Sequence, residues 1–214
     1  MRLGYVVALI TFGCASIAGA VEAPPRSPFD SIDWPMTMRF APSKGAVLGR
    51  FQITFERTTL DAIRAEVGMG AVSHSGGGAD SLLWLCYTVA TATRRERLWI
   101  ASSAEMGGSN HAVTLVTAVV VDGVGSDPDC PLLPKRLTPV ALDHGIWLGS
   151  SSRDLTRSLG TPSHVAAPWN VYDFLSKVAG NGKCDGGYDR INWLDAKLNG
   201  RAVIEISAGQ VTSC

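Results

Sequence analysis

Two stretches of the chain share one pattern of hydrophobic and polar positions. The segments "ITFERTTLDAIRAEVGMG" from Ile53 and "IWLGSSSRDLTRSLGTPSH" from Ile146 each place hydroxyl residues ahead of spaced apolar residues, and a glycine follows. Hydroxyl side chains cap helix N-termini, and glycine commonly ends helices. The pattern therefore predicts two short amphipathic helices, beginning near Thr59 and Ser152, that bury one side only.

Apolar runs separated by turn residues follow each predicted helix. The first half contains "SLLWLCYTVA", "RLWIAS" and "HAVTLVTAVVV", and the second contains "NVYDFLSKV", "YDRINWLDAKL" and "RAVIEIS". Such runs are typical of strands. The sequence thus predicts an α+β fold of two tandem modules, each a short capped helix packed on a three-stranded antiparallel sheet. The helix positions expected to pack on the strands are the apolar ones: Leu60, Ile63, Val67, Leu155 and Leu159.

The domain boundaries follow from composition. Residues 21–44 are rich in proline and lack periodicity, which predicts an extended lead-in. Module 1 is expected at 45–125 and module 2 at 143–214. The prolines of "SDPDCPLLPKRLTP" predict a linker at 126–142.

The first twenty residues have the pattern of a secretory signal peptide. Arg2 precedes an apolar stretch, and small residues follow up to Ala20. Lipidation at Cys14 is the alternative, although Thr11 stands where lipoproteins have an aliphatic residue. After residues 1–20, no apolar run is long enough to cross a bilayer. We therefore expect a periplasmic or secreted protein.

Charge and histidine placement argue against several classes of function. The chain has 19 basic and 19 acidic residues, without the basic excess that nucleic-acid binding requires. Its histidines, at 74, 111, 144 and 164, show no H-x-x-x-H spacing, so we expect no metal site and no cofactor.

Four cysteines remain once Cys14 leaves with the signal peptide. An even number in an exported chain indicates two disulfides, for which three pairings are possible. Because each pair brackets strands of one half of the chain, we predict bonds between Cys86 and Cys130 and between Cys184 and Cys214.

Strand alternation places three tryptophans opposite the aliphatic residues that the helices need. Arg97 lies beside Trp99 and Lys197 beside Trp193, and Glu105 belongs to an irregular glycine-containing loop. The alternative is that an N-terminal arm or the other module covers the indoles. The run 94–97 is expected to be a solvated hairpin tip. The predicted partner-binding residues are Trp84, Arg97, Trp99, Glu105, Trp193 and Lys197.

Serine and histidine residues give one catalytic alternative. Ser73 and Ser75 flank His74 ahead of three glycines, and His111 follows Glu105 in a second loop. A hydrolase needs a nucleophile beside a base. The chain has no G-x-S-x-G elbow at these serines, and a mobile loop is the better explanation of the glycines.

The capped helix of the form LG-S-S-x-x-(D/E)-L-x-x-x-LG-x-P, followed by strands and present in tandem, resembles the beta-lactamase inhibitory protein fold and the small outer-membrane assembly lipoproteins. The segment "WLGSSSRDLTRSLGTPS" carries this form, whereas "TFERTTLDAIRAEVGMG" has Glu56-Arg57 where the family shows glycine, and lacks the proline. The segments "LCYT", "SSAEMGG" and "CPLLP" also resemble exported bacterial proteins.

The resemblance implies an exported non-enzymatic protein that binds other proteins through its sheet. The leading hypothesis is an inhibitor-like or immunity-like module that presents a sheet face to an envelope or secreted partner. The alternatives are a structural component of envelope assembly and the Ser/His hydrolase.

Overall fold

The computed structural model describes residues 22–29, 35–103, 106–122, 127–179 and 187–213. Strands dominate these ranges. In chain order the elements are β1 Gly45–Leu48, β2 Phe51–Thr54, α1 Leu60–Val67, β3 Ser73–Ser75, β4 Leu82–Ala90, β5 Arg95–Ser103, β6 Leu115–Val121, β7 Val140–Leu142, α2 Ser152–Leu159, β8 His164–Ala166, β9 Trp169–Val178, β10 Tyr188–Asn199 and β11 Ala202–Ser213.

The prediction of two tandem modules, each a helix on a three-stranded sheet, is wrong. Eight strands form one antiparallel sheet in the order β3-β4-β5-β6-β11-β10-β9-β8. Strands β6 and β11 pair from Leu115↔Gly209 to Val119↔Glu205, so the two halves of the chain share this sheet. Two separate sheets would each leave a long edge of unpaired backbone groups, and this pairing removes both. The fold is mostly β.

A smaller antiparallel sheet has the order β2-β1-β7. The segment "VLGRFQITF" is a hairpin that turns at Gly49. This glycine has φ +61, and a Cβ there would meet the carbonyl oxygen of Arg136 at 2.4 Å. The predicted linker supplies β7 and buries Leu133 and Leu137 in the main core.

Both predicted helices are present. The Thr59 hydroxyl accepts from the Ala62 N–H, and α1 ends at Gly68 with φ 79. Ser151 caps α2 in a capping box with Asp154. The predicted apolar positions are all buried in the main core: Leu60, Ile63, Val67, Leu155 and Leu159.

The large sheet has two unlike faces. Its helix face packs against α1 and α2 through buried aliphatic and aromatic residues, among them Leu85, Tyr87, Leu98, Ile100 and Leu194. The opposite face, which we call the tryptophan face, carries Trp84, Trp99 and Trp193, as the alternation and register of β4, β5 and β10 require.

In the described ranges, neither the helices nor any other helical segment has the length and apolar character needed to span a membrane.

Candidate functional site

Two of the three predicted binding tryptophans are buried by the chain itself. Trp84 is 2% and Trp99 3% exposed, whereas Trp193 is half-buried against the backbone of Gly209 on the neighbouring strand. A Cβ on Gly209 would lie 2.3 Å from the Trp193 ring, so the indole occupies the space that the glycine leaves. The tryptophan face is therefore not an open aromatic surface in this structure.

A disulfide-bonded segment covers the part of the tryptophan face at β4 and β5. The predicted Cys86–Cys130 disulfide is present, and Trp84 and Trp99 pack in one cluster with both cysteines. Arg97 forms an ion pair of 2.7 Å with Asp127 of the same segment. In this conformation Arg97 therefore links β5 to the disulfide-bonded segment.

Lys197 is also engaged within the chain. Its ammonium group lies 3.2 Å from the Glu205 carboxylate and 5.4 Å from the centre of the Trp169 ring. The described residues do not include Glu105, Cys184, Cys214 or the predicted signal peptide 1–20. The partner-binding role of the six predicted residues stays a prediction.

The Ser/His prediction leads to a different serine. His74 Nε2 lies 2.6 Å from the hydroxyl of Ser81, while Ser73 and Ser75 point to the other side of β3. His111 lies in a separate turn with φ 50. The structure therefore does not bring His74 together with either predicted serine.

A broad opening lies on the helix face, near the C-terminal ends of β9 and β11 and the N-terminal end of β10. Its volume is about 830 Å³, and the turn after β2 and residues 39–44 form its walls. Four cationic side chains line it against one carboxylate, that of Glu56: Arg39, Lys44, Arg57 and Arg190. We refer to this opening as the cationic cleft.

Glu56 is held in an unusual backbone conformation at the wall of the cationic cleft. Its φ is 58, in the left-handed region that favours glycine. Its carboxylate accepts hydrogen bonds from Gln210 Nε2 at 2.7 Å and Thr212 Oγ1 at 2.8 Å. The Arg190 Nε atom lies 3.9 Å away. Backbone strain of this kind costs on the order of 1–3 kcal/mol and is concentrated at functional sites.

The floor of the cationic cleft is rigidly built. Asn192 is fully buried, accepts from the backbone N–H of Ser43 at 3.2 Å and donates to the Ser43 carbonyl. The Ser43 hydroxyl donates to Asp143 at 2.8 Å. These bonds fix the segment that carries Lys44 against β10, so the cleft is preformed.

Three of the cleft's cations are available to a ligand. Arg39, Lys44 and Arg57 are exposed, and the ion pairs between described residues involve none of them. Phe40 is 47% exposed at the same opening, and Phe174 lines it. The cleft therefore offers positive charge next to aromatic surface.

Sequence reasoning missed this site because its residues come from distant parts of the chain. Arg39, Glu56, Phe174, Arg190 and Gln210 meet only when β9, β10 and β11 pair and the small sheet packs on them. The one local signal was Glu56-Arg57 at a position of the motif that favours glycine.

Comparison with protein families, characterised proteins and solved structures finds no match to this chain. Across the described ranges, no three His, Cys, Asp or Glu side chains come together in a group that could hold a metal ion.

Proposed function

We propose that the protein is an exported, non-enzymatic binding protein that holds an acidic segment of a protein partner in the cationic cleft. The observation that carries this proposal is the opening of about 830 Å³ lined by four cations and one carboxylate. Its floor is the helix face of the sheet, whereas the sequence predicted binding through the opposite face.

The chemistry of the cleft favours a peptide segment that has both carboxylate and apolar side chains. Arg39 and Arg57 are placed to pair with carboxylates, and arginine binds them through two parallel hydrogen bonds. Phe40 and Phe174 offer surface on which an aromatic or aliphatic side chain packs. Glu56 is already satisfied by its own neighbours, so it orders the wall rather than repelling the ligand.

Export is supported by two features. The Cys86–Cys130 disulfide is compatible with an extracytoplasmic location, because disulfides persist in oxidising compartments. The signal-peptide pattern of residues 1–20 agrees with it. An inhibitor-like or immunity-like role, with an envelope or secreted partner, fits both.

The test uses a fluorescein-labelled peptide of alternating glutamate and phenylalanine, with a lysine–phenylalanine peptide as the charge control. We expect the acidic peptide to bind and the basic one not to. Reversing two charges, Arg39→Glu with Arg57→Glu, should weaken binding more than about tenfold, since each charge pair near a surface contributes on the order of 1 kcal/mol or more. Fluorescence anisotropy measures the affinity.

The matched control reverses two exposed cations away from the cleft, Arg153→Glu with Arg201→Glu. It makes the same change in net charge and should alter affinity less than about twofold at physiological salt, where distant charges are screened. Equal losses in the two double variants would show that only net charge matters and would refute a defined site.

A further inference from the structure

The chain's own N-terminal arm, residues 22–29, lies across the tryptophan face. Its sequence is "EAPPRSPF". The Trp99 indole N–H donates to the carbonyl of Glu22 at 2.9 Å, and the Ser27 hydroxyl donates to Asp195 at 2.6 Å. At the other end, Phe29 meets Trp169 edge to face, with ring centres 5.8 Å apart.

The arm crosses the strands without helix or strand structure at residues 22–27 and with a turn at residues 28 and 29. From Trp99 on β5 to Trp169 on β9 the sheet order crosses four strand spacings, or about 19 Å. Seven residue steps of polyproline II helix span about 22 Å. The arm adds no strand to either sheet. Its length thus matches the width that it has to cross only when it is extended.

The contacts have the chemistry of proline-rich peptide recognition. Pro24 is buried and Pro25 half-buried against a sheet face rich in aromatic side chains. The indole N–H of Trp99 donates to a backbone carbonyl. A polyproline II segment has many free carbonyls to accept such bonds, because that conformation has no internal hydrogen bonds.

The arm does not fill the surface that it covers. A hollow of about 250 Å³ remains between Pro24, Pro25 and the sheet, and Trp193 and Leu115 line it. This hollow is open to solvent, so the arm leaves part of the tryptophan face uncovered.

We propose that the tryptophan face is a binding groove for a proline-rich extended segment of a protein partner, and that residues 22–29 occupy this groove in cis until the partner displaces them. The buried Trp99 and the half-buried Trp193 then become contact residues in the bound state. This groove lies on the face opposite the cationic cleft and rests on separate observations.

The effective concentration of the arm at the groove determines how strongly the arm competes with a partner peptide. A short flexible tether gives an effective concentration on the order of millimolar. A free peptide with a dissociation constant of about 100 μM would then bind the masked protein about tenfold more weakly than the unmasked one. Loosening the arm should recover that factor.

The experiment measures binding of fluorescein-labelled EAPPRSPF to the full chain by anisotropy. The double variant Ser27→Ala with Phe29→Ala loosens the arm without touching the groove, and we expect it to bind the peptide about tenfold more tightly than the wild type. The peptide EAAARSAF should bind neither protein. Trp169→Ala in the loosened chain should abolish the gain, because it removes the partner of the peptide's phenylalanine.

Near-UV circular dichroism of each variant checks that the fold is intact. If the double variant does not fold, Ser27→Ala alone provides the test, with a smaller gain expected because the Phe29 contact remains. Equal peptide affinity in the wild type and the folded loosened variant would overturn the proposal. So would equal binding of EAAARSAF, which would show that the prolines are not recognised.

A second copy of the chain is the other candidate occupant. A wild-type dimer that persists on dilution, and that both excess EAPPRSPF and the loosened variant dissociate, would assign the groove to an exchanged arm, and this would also overturn the proposal. The charge reversals Arg39→Glu and Arg57→Glu, introduced into the loosened chain, should leave its affinity for EAPPRSPF unchanged. The experiment therefore tests this proposal independently of the proposed function.

Discussion

Glu96 is a buried carboxylate in a run of charged residues. It is 1% exposed, yet it lies between two arginines on a strand expected to begin as a solvated hairpin tip. Arg94 Nε lies 2.7 Å from one carboxylate oxygen, and Trp147 donates its indole N–H to the other at 2.8 Å. The bonds join β5 to the loop before α2, so Glu96 ties the second half of the chain to the first.

Replacing Glu96 by alanine should destabilise the fold by about 2–4 kcal/mol. The substitution leaves the buried Trp147 N–H without an acceptor and removes the carboxylate that pairs with Arg94 Nε, and such losses are costly. Urea denaturation followed by far-UV circular dichroism measures the change in the free energy of unfolding.

The control is a surface pair of the same chemistry, Glu66 with Arg136, at 2.8 Å and about half exposed. Glu66→Ala should cost less than about 1 kcal/mol. Equal costs for Glu66→Ala and Glu96→Ala would contradict the importance of burial at Glu96.

At the residue scale, the alternation of strand residues predicted which face of the sheet each tryptophan occupies, but it did not predict which tryptophans are exposed. Period two put Trp84, Trp99 and Trp193 opposite the helices, which is where they lie. It carried no information on the segments that cover Trp84 and Trp99, because these come from residues 22–29 and 127–133. The burial of Glu96 was equally hidden, because its partner Trp147 is distant in sequence.

The helix α2 depends on a local network at its first turn. Asp154 accepts from the Ser151 N–H at 2.9 Å and from the Ser151 hydroxyl at 2.6 Å, and its own N–H donates to that hydroxyl. The hydrogen bonds from Ser151, first the side chain and then the backbone, lower the pKa of Asp154 from its ordinary 3.8, and Arg157 adds a smaller effect.

The lowered pKa predicts how stability changes with pH. Between the two pKa values the unfolded chain binds more protons than the folded one, so stability rises with pH there. The contribution of Asp154 is present above the unfolded pKa and is lost as the pH falls through the lower pKa of the folded state. The difference in unfolding free energy between the wild type and Asp154→Asn should therefore shrink on acidification.

Denaturation curves at a series of pH values measure this difference. Ser151→Ala should flatten the pH dependence more than Arg157→Gln, because the Ser151 bonds are the larger cause of the shift. The reverse order would assign the effect to the salt bridge with Arg157.

At the element scale, the sequence predicted the helices and strands, which depend on residues close together in the chain. Both helices begin and end where their caps lie, because Thr59, Ser151 and Gly68 act within one turn. The strand runs were found for the same reason. The pairing of β6 with β11 was not predicted. The sequences of residues 115–119 and 205–209 do not indicate which strand each one pairs with, because apolar alternation is compatible with any neighbouring strand.

The shared sheet predicts that the two halves unfold together. Because β6 and β11 are paired at its centre and both halves contribute to one core, the chain should show a single cooperative transition in urea. Hydrogen exchange read by mass spectrometry on peptides from β4–β5 and β9–β10 should give the same midpoint. Two separate midpoints would point to independent modules and contradict this architecture.

The whole-molecule surfaces were the least accessible to sequence reasoning. The cationic cleft exists only because Arg57 of the first half meets Arg190 of the second across the packed sheets. The tryptophan face was identified, but its own arm covers it, and whether such an arm binds depends on tertiary packing that the pattern "EAPPRSPF" does not encode.

The position of β11 has a consequence for how the protein is made. This strand is the last of those described, residues 202–213, yet it lies between β6 and β10 in the middle of the large sheet. As a ribosome releases the chain from its N-terminus, β3–β6 and β8–β10 emerge before the strand that pairs with both β6 and β10. The large sheet is therefore completed only after residues 202–213 have emerged.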